Sequence, residues 1–410
     1  MLKPPLQFFE YDKVAWKGKW ERDVFSEKLY LAFEKYYTAN PETPFFELIP
    51  YGVRFKQYVG AIQIGKTTIE ILPKVGKEGN EKVWQNVLLE MLKVCNLLQA
   101  KQTSEANLKL KSNSVLELYY ELYLNEVELL IRNGLIKKYQ PQTGQMKALK
   151  GALQFAQNIS KNNIHKERFF TKHTIYTKDH LLHQILFEAL KVIEQISNSA
   201  LLKDRIERLK FLFPEVKNIN VELVHFTKIE SSRKHIPYLK ALTIAKLILL
   251  NYKPDIKGGR ENLLAIMFDM NILWEEYIFR ILKKNHSQEF QILSQNKKLF
   301  WGVNQKVKPD VVITHKESKK VYVLDTKWKV LKNRRPSDED LKQMYVYNHH
   351  WESQNSILLY PNGSNQENKT GNFALPMSAR NHQCQIAFAN VLKEGKLNKG
   401  LSAEIISYLM

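Results

Sequence analysis

Two short stretches, Lys308-Pro-Asp-Val-Val-Ile-Thr314 and Val321-Tyr-Val-Leu-Asp-Thr-Lys-Trp-Lys329, flank a polar connector, Lys316-Glu-Ser-Lys-Lys320. Both are rich in β-branched and aromatic residues and read as strands. A connector this short leaves room only for an antiparallel hairpin. A turn centred between Glu317 and Ser318 then sets the register and puts Asp310 opposite Asp325. Directly opposed Cβ atoms lie about 4.5–5.5 Å apart. Two carboxylates that close repel unless a cation sits between them. Mg²⁺ suits such a pair, being held by one or two carboxylates plus waters and substrate phosphate. Lys327 follows Asp325 by two positions and so shares its face, while Thr326 is expected to point the other way. Two acids for a metal and a lysine beside them match what phosphodiester hydrolysis needs, since the metal acidifies water and offsets transition-state charge. The same residues would also make a surface hairpin with a structural ion pair. The bare string carries no weight: Pro254-Asp255-Ile256-Lys257 contains both Pro-Asp and Asp-x-Lys within one loop-like segment. What sets Asp310, Asp325 and Lys327 apart is their facing register.

The rest of the composition is compatible with a polyanionic partner. Lys and Arg number 62 against 42 Asp and Glu, a formal charge of +20. Cations that neutralise phosphates release condensed counterions, so a surplus of this size favours nucleic acid binding, although a lysine-rich soluble protein would look the same. Cys95 and Cys384 are the two cysteines. They lack metal-ligand spacing, which argues against a zinc site or a disulfide framework. The N-terminus has no apolar signal region and no run of about 18 apolar residues occurs, so no membrane association and a reducing cytoplasmic location are expected.

Along the chain, the spacing predicts a helix near Phe25 to Tyr37, a hairpin from Tyr58 to Leu72, and helices over Lys82 to Leu98 and Val115 to Asn133. Leu149 to Tyr176 is shorter in pattern and strand-like. Helices are expected again over Leu181 to Ile196 and Lys240 to Leu250. Lys253 to Arg260 carries Pro, Gly and Gly and reads as a linker. After it comes a long helix, Glu261 to Lys284, and then strands, so a domain boundary is placed near residue 255.

Gly60-Ala-Ile-Gln-Ile-Gly65-Lys66-Thr67 satisfies the phosphate-loop pattern, yet the segment does not read as one. A phosphate loop needs a strand before it and a helix after it. Here the interior alternates like a strand, and Thr67-Thr-Ile-Glu-Ile-Leu72 alternates as well. Gly65-Lys66 sits where a two-residue turn with a leading glycine belongs. A hairpin is expected, and with it no nucleotide hydrolysis.

Two helices supply further candidates. Leu264, Phe268, Ile272, Glu275, Phe279 and Leu282 form one stripe at helical spacing, with Glu275 its single charge. Glu276 lies on the polar side with Arg280 four residues on. Glu275 is therefore either a carboxylate aimed at a cation or a residue at the edge of the stripe. Ser337 can cap a helix running to about Trp351. On it, Gln343 and Tyr347 share a face, as phosphate-facing groups or as packing.

Glu275, Pro309-Asp310, Asp325-Thr-Lys327 and Gln343 together resemble the motif series of the PD-(D/E)xK nuclease superfamily. Its common core is a helix, three strands, a helix and a further strand. The order here fits, with a strand at Phe290 to Leu293 or Lys298 to Trp301, and another at Ser356 to Tyr360. Met270-Asn-Ile-Leu-Trp-Glu275-Glu-Tyr-Ile278, Asp340-Leu-Lys-Gln-Met-Tyr-Val-Tyr347, Gly60 through Lys74 and Leu149-Lys-Gly-Ala-Leu153 narrow the resemblance to the McrC family, over about residues 50 to 390. Trp274 and Lys342 depart from the family's usual residues there, and the first 45 residues match nothing. The resemblance implies an α+β N-terminal region, residues 1–255, that docks on a partner. A C-terminal α/β PD-(D/E)xK endonuclease domain, residues 256–410, would follow, with a mixed central sheet flanked by helices. It implies Mg²⁺, replaceable by Mn²⁺, held by Asp310, Asp325 and Glu275, with Lys327 and Gln343 completing the catalytic set. Lys308, Lys329 and Tyr347 would contact DNA. The implied partners are a McrB-like hexameric AAA+ GTPase and double-stranded DNA, methylated or otherwise modified. The alternatives are a catalytically silent adaptor that binds nucleic acid and stimulates such an NTPase, and, against the strand-like interior of Gly60 to Thr67, a self-contained NTPase.

Overall fold

The computed structural model describes residues 4–75, 79–95, 97, 114–229, 232–253, 263–331, 335–363, 366–374 and 382–409. The chain forms two compact units. One is residues 116–266; the other combines residues 4–107 and 113–115 with 267–410. The architecture is mixed α/β, with several sheets flanked by helices.

In the second unit the chain begins with β1 (Leu6–Phe9), which lies parallel to one strand of the predicted hairpin, β2 (Tyr58–Ile64) and β3 (Thr67–Leu72). The hairpin pairs Ile64 with Thr67 across a two-residue turn, and Gly65 takes φ 54 there. That backbone conformation is cheap for glycine. The phosphate-loop pattern is thus spent on two strands and a turn, as expected. A cluster of Phe8, Phe25, Phe33, Phe46 and Phe55 fills the space beneath the neighbouring helix Glu27–Ala39. Helix α1 (Glu81–Val94) follows.

The strand β4 (Leu263–Asp269) begins in the other unit and ends in this one, and helix α2 (Met270–His286) follows. The Asp269 side chain caps α2 by accepting from the Asn271 and Ile272 amides. Next come β5 (Phe290–Ser294), a separate two-stranded arm of β6 (Lys298–Trp301) and β7 (Gln305–Val307), then β8 (Val311–His315) and β9 (Val321–Thr326). Helix α3 (Asp338–Trp351) precedes β10 (Asn355–Pro361), β11 (Lys369–Asn372), β12 (Gln383–Ala389) and the terminal helix α4 (Leu401–Ser407). Six strands form one mixed sheet in the order β5-β8-β9-β10-β12-β11. β9, β10 and β12 run parallel and the outer pairs antiparallel. Ser337 caps α3 as predicted, in a capping box with Asp340. On one face of the sheet α3 buries Met344, Tyr347 and Trp351 against Val312, Val323 and Leu358.

The 116–266 unit is largely helical. It holds helices Val115–Arg132, Leu181–Ile196, Ala200–Leu212 and Leu239–Asn251 and a long antiparallel strand pair, Lys138–Met146 with Phe169–Thr177.

Several expectations need correction. The helix expected from Glu261 begins at Met270, because Leu263–Asp269 is a strand. The run Leu-Leu-Ala-Ile-Met-Phe is continuously apolar, and such a run fits a buried strand as well as a helix. Leu149 to Tyr176 contains the helix Phe155–Asn162 between its strands. Both candidate strands, Phe290 to Leu293 and Lys298 to Trp301, exist, but only the first joins the main sheet. Residues 4–107 form one compact unit with 267–410. The linker from Pro254 to Arg260, the Pro254–Lys257 decoy and Leu98 lie outside the described residues.

Candidate active site

The hairpin register is the predicted one: Val311 pairs with Leu324 and Val312 with Val323, so Asp310 and Asp325 fall opposite each other at the open end. The strand end keeps its ladder beyond β9, where the Lys327 amide donates to the Leu359 carbonyl at 2.9 Å. Asp325 is 1% exposed. Burial, and then the charge of Asp310, push its carboxyl up to about 7. Burial also raises Asp310, against hydrogen bonds from Thr326 and the charges of Lys327 and Lys308. A buried acid whose ionisation is opposed by a partly buried acid facing it forms a site that favours a cation.

Lys327 supplies one. Its Nζ lies 2.7 Å from Asp325 Oδ2 and donates to Gln343 Oε1 at 3.3 Å. Burial works against this ammonium, but Asp325, Asp310 and Asp340 together raise it. Gln343, from α3, donates through Nε2 to Asp325 Oδ1 at 3.4 Å and to the Tyr347 hydroxyl at 2.7 Å. The Tyr347 hydroxyl in turn donates to the Lys308 carbonyl at 2.9 Å. Tyr347 is 4% exposed, so its geometry is that of a packing residue that orients Gln343 rather than one that meets DNA.

Glu275 is half-buried and on the site's flank. Burial raises its carboxyl first, and the charge of Asp310 adds to that. Gln295 Nε2 donates to Glu275 Oε1 at 2.7 Å, while the Gln295 amide donates to the Asp310 carbonyl at 2.9 Å. Glu276 pairs with Arg280, as the spacing predicted. The stripe itself is shifted, however: Ile272 is 64% exposed, and Leu273, Trp274, Tyr277, Ile278 and Leu282 make the buried face. Among the described residues, no group of three or more His, Cys, Asp or Glu is gathered closely enough to hold a metal. Asp310 and Asp325 are the carboxylates that could hold an ion, one that takes two carboxylates and completes its shell with water and phosphate.

The remaining candidates divide. Lys308 is exposed and its charge reaches both Asp310 and Glu275. Lys329 is committed to Asp340 Oδ2 at 2.7 Å, an oxygen that also accepts from the Tyr360 hydroxyl at 3.1 Å. Sequence reasoning missed three supporting groups. Thr326 does not simply point away: its amide and hydroxyl donate to Asp310 Oδ2 at 2.7 and 2.9 Å. It is the last residue of β9, where the strict alternation of strand faces ends. Gln295, at φ 47, had no pattern to mark it. Glu10, 318 positions from Trp328, accepts from its indole at 2.6 Å. Burial holds the Glu10 carboxyl up at about 7.

Buried Asp325 faces partly buried Asp310 across the hairpin, with Lys327 paired to Asp325 and helix-borne Gln343 hydrogen-bonded to it, and together they define a candidate hydrolytic centre. A family model described as "McrBC 5-methylcytosine restriction system component" matches residues 53–361, and the chain belongs to that family. It is 20% identical over 281 residues, 63% of this chain and 81% of the relative, to the type IV methyl-directed restriction enzyme EcoKMcrBC of Escherichia coli strain K12. Its fold resembles that of a refined half-complex from a tetradecameric assembly of Thermococcus gammatolerans McrB AAA+ hexamers with bound McrC. The TM-score is 0.69 at 19% identity, covering 99% of this chain and 100% of that one. A second match is the Thermococcus gammatolerans McrBC complex, with a TM-score of 0.51 at 19% identity over 68% of this chain and 88% of that one. Among the described residues, no helix is long and apolar enough to cross a membrane.

Proposed function

We propose that this chain is the Mg²⁺-dependent DNA endonuclease subunit of a McrBC-type restriction system. It belongs to the PD-(D/E)xK class and works with a hexameric AAA+ GTPase that recognises modified DNA and translocates. The observation that carries this reading is the facing pair Asp310–Asp325 with Lys327 on Asp325. Family membership and the likeness to a McrC bound to McrB hexamers support it. Asp310 and Asp325 would hold Mg²⁺ or Mn²⁺, with Glu275 on its flank. When bound, the metal would acidify water and offset charge on the phosphate. Lys327 keeps a positive charge beside Asp325, where it can orient a nucleophilic water or meet the phosphate under attack. Gln343, steadied by Tyr347, aims its amide at Asp325 Oδ1, and Thr326 fixes the rotamer of Asp310.

Residues 1–255 keep the docking role and 256–410 the chemistry. Since residues 4–107 build one unit with 267–410, these roles are best tested by substitutions in the full chain. A second reading, a silent adaptor that stimulates the ring, is favoured by one observation: Lys327 and Thr326 already engage Asp325 Oδ2 and Asp310 Oδ2. Plasmid cleavage with the partner ring and Mg²⁺ decides between them. Cutting that disappears in Asp310→Asn while ring stimulation persists supports the nuclease. Ring stimulation with no cutting under any divalent metal supports the adaptor.

A further inference from the structure

Between β5 and β8 the chain leaves the main sheet and builds the β6–β7 arm, with Gly302, Val303 and Asn304 at its tip. Residues 297–308 read Lys-Lys-Leu-Phe-Trp-Gly-Val-Asn-Gln-Lys-Val-Lys, four lysines and no acid. Leu299, Phe300, Trp301 and Val303 are 54%, 51%, 69% and 85% exposed. Clustered large apolar side chains in water mark a surface used for binding.

The arm is fixed at its root. Lys298 Nζ donates to the His350 carbonyl at 2.7 Å and lies 5.1 Å from the Trp351 ring. The Trp351 indole donates to Asn296 Oδ1 at 3.3 Å, and Phe300 stands edge-on to His350. These anchors sit at the C-terminal end of α3, the helix that carries Gln343. On its other side the arm runs through Lys308 and Pro309 straight into Asp310. A ligand that presents phosphate to the two aspartates would therefore pass beside a root-anchored, lysine-rich arm with Trp301 next to its tip. The acid-free charge favours a polyanion over a protein surface. Apolar side chains beside lysines suit bases beside phosphates, because aromatic rings stack on bases and apolar wedges enter base steps.

We propose that the β6–β7 arm is a duplex-DNA clamp beside the cutting site, with Lys297, Lys306 and Lys308 on phosphates and Trp301 against bases. The proposal rests on the nuclease reading for its location, but its test needs no cleavage. The full-length chain, in EDTA, is titrated with a mixed-sequence duplex carrying a fluorescent base analogue, and both anisotropy and the analogue's unstacking signal are followed. Trp301→Ala should weaken binding roughly 5- to 100-fold and remove the unstacking signal, while Trp301→Phe retains most of both. Lys306→Gln should reduce the slope of log K against log salt by about one. Since Trp301 is largely exposed, a matched melting curve verifies folding. Binding by Trp301→Ala within twofold of wild type, with the unstacking signal intact, overturns the clamp. So does unchanged DNA binding with lost capture of the AAA+ ring, which would make the arm a protein dock. Cutting that survives Asp310→Asn would overturn the nuclease reading instead, whatever the arm does.

Discussion

Two hairpins in one compact unit each carry a string that looks like a site. In β2–β3, Gly60 to Thr67 spells a phosphate loop; in β8–β9, Asp310 to Lys327 spells a metal-and-lysine motif. Each hairpin also holds a buried acid, and the environments of those acids differ. Glu70, fully buried on β3, accepts from the Val115 amide at 2.6 Å, Gln85 Nε2 at 2.7 Å and Gln7 Nε2 at 2.9 Å. Those donors are neutral amides, and each ties a different segment to the strand. Asp325 instead faces a second carboxylate and a lysine. Hydrogen bonds from amides satisfy a buried acid and fix a fold. A buried acid set against another acid leaves electrostatic demand for a cation. A string becomes a site through its surroundings, and the two hairpins separate on that criterion.

The sharpest way to break the comparison is to neutralise each acid. Asp310→Asn or Asp325→Asn should reduce plasmid cleavage, assayed with the partner ring and Mg²⁺, to background while the protein stays folded. Glu70→Gln should lower the melting temperature by weakening the bonds from Val115, Gln85 and Gln7, and leave the cleavage of the remaining folded protein near wild type. Cleavage that survives either aspartate substitution would place β8–β9 with the structural hairpins. Lys327→Ala should cost about 10²–10³-fold in turnover, the scale of losing one charge-stabilising donor.

The neighbouring glutamates sharpen the edge of the site. Glu275 is joined through Gln295 to the Asp310 backbone, whereas Glu276 is joined to Arg280 on the surface. Glu275→Gln should lower cleavage about 10- to 100-fold, as loss of a supporting group near a metal does. Glu276→Gln should stay within about threefold, because a partly exposed i,i+4 pair of this kind contributes only about 0.3–0.5 kcal/mol. The reverse ranking in the same plasmid assay would relocate the flank of the site.

What was legible follows the same physics. Antiparallel pairing fixes register once a turn is centred, so the Asp310–Asp325 juxtaposition could be read from the string. Helix α3, with its cap and acids in the first turn, was equally plain. The start of α2 was not, because Leu263 to Phe268 has no period with which to choose strand over helix. The phase of α2 slipped by one residue for the same reason, Ile272 having been counted as core. Glu275 borders the true stripe and is half-buried there, which the spacing left open between an inward carboxylate and an edge residue. Thr326 and Glu10 were out of reach: one turns where a strand ends, and the other meets Trp328 only through tertiary packing.

A smaller effect concerns pH in the absence of metal. Burial and Asp310 push Asp325 up to about 7 in the folded chain, above the ordinary carboxylate range it regains on unfolding. Its stabilising contribution is therefore complete below about pH 4 and lost as pH rises through about 7. In EDTA, wild type should lose melting temperature relative to Asp325→Asn across that window, and Mg²⁺ should offset the loss most at the upper end. Parallel melting curves for the two proteins, with and without Mg²⁺, would remove the cation demand that separates the two hairpins.

The smallest expected effect tests the other hairpin directly. If Gly60 to Thr67 bound nucleotide, its glycines would leave backbone amides free to cradle phosphate, and a helix would start at Thr67. Instead Ala61, Ile62 and Gln63 pair with Glu70, Ile69 and Thr68, and Gly65 closes the turn. Ile62 and Ile64 are buried, so the interior of the pattern faces core. Lys66 is exposed at the turn, and no helix follows it. Lys66→Ala should therefore leave nucleotide hydrolysis by the purified chain at background, and cleavage with the ring unchanged. Gly65→Val is the harsher companion: it should lower the melting temperature, since a β-branched residue at φ 54 is strained. It should still reveal no loss of any hydrolysis. Hydrolysis by the chain alone that stops with Lys66→Ala would show that a turn between two buried strands binds phosphate. The criterion of surroundings would then fail on the hairpin where it is most easily applied.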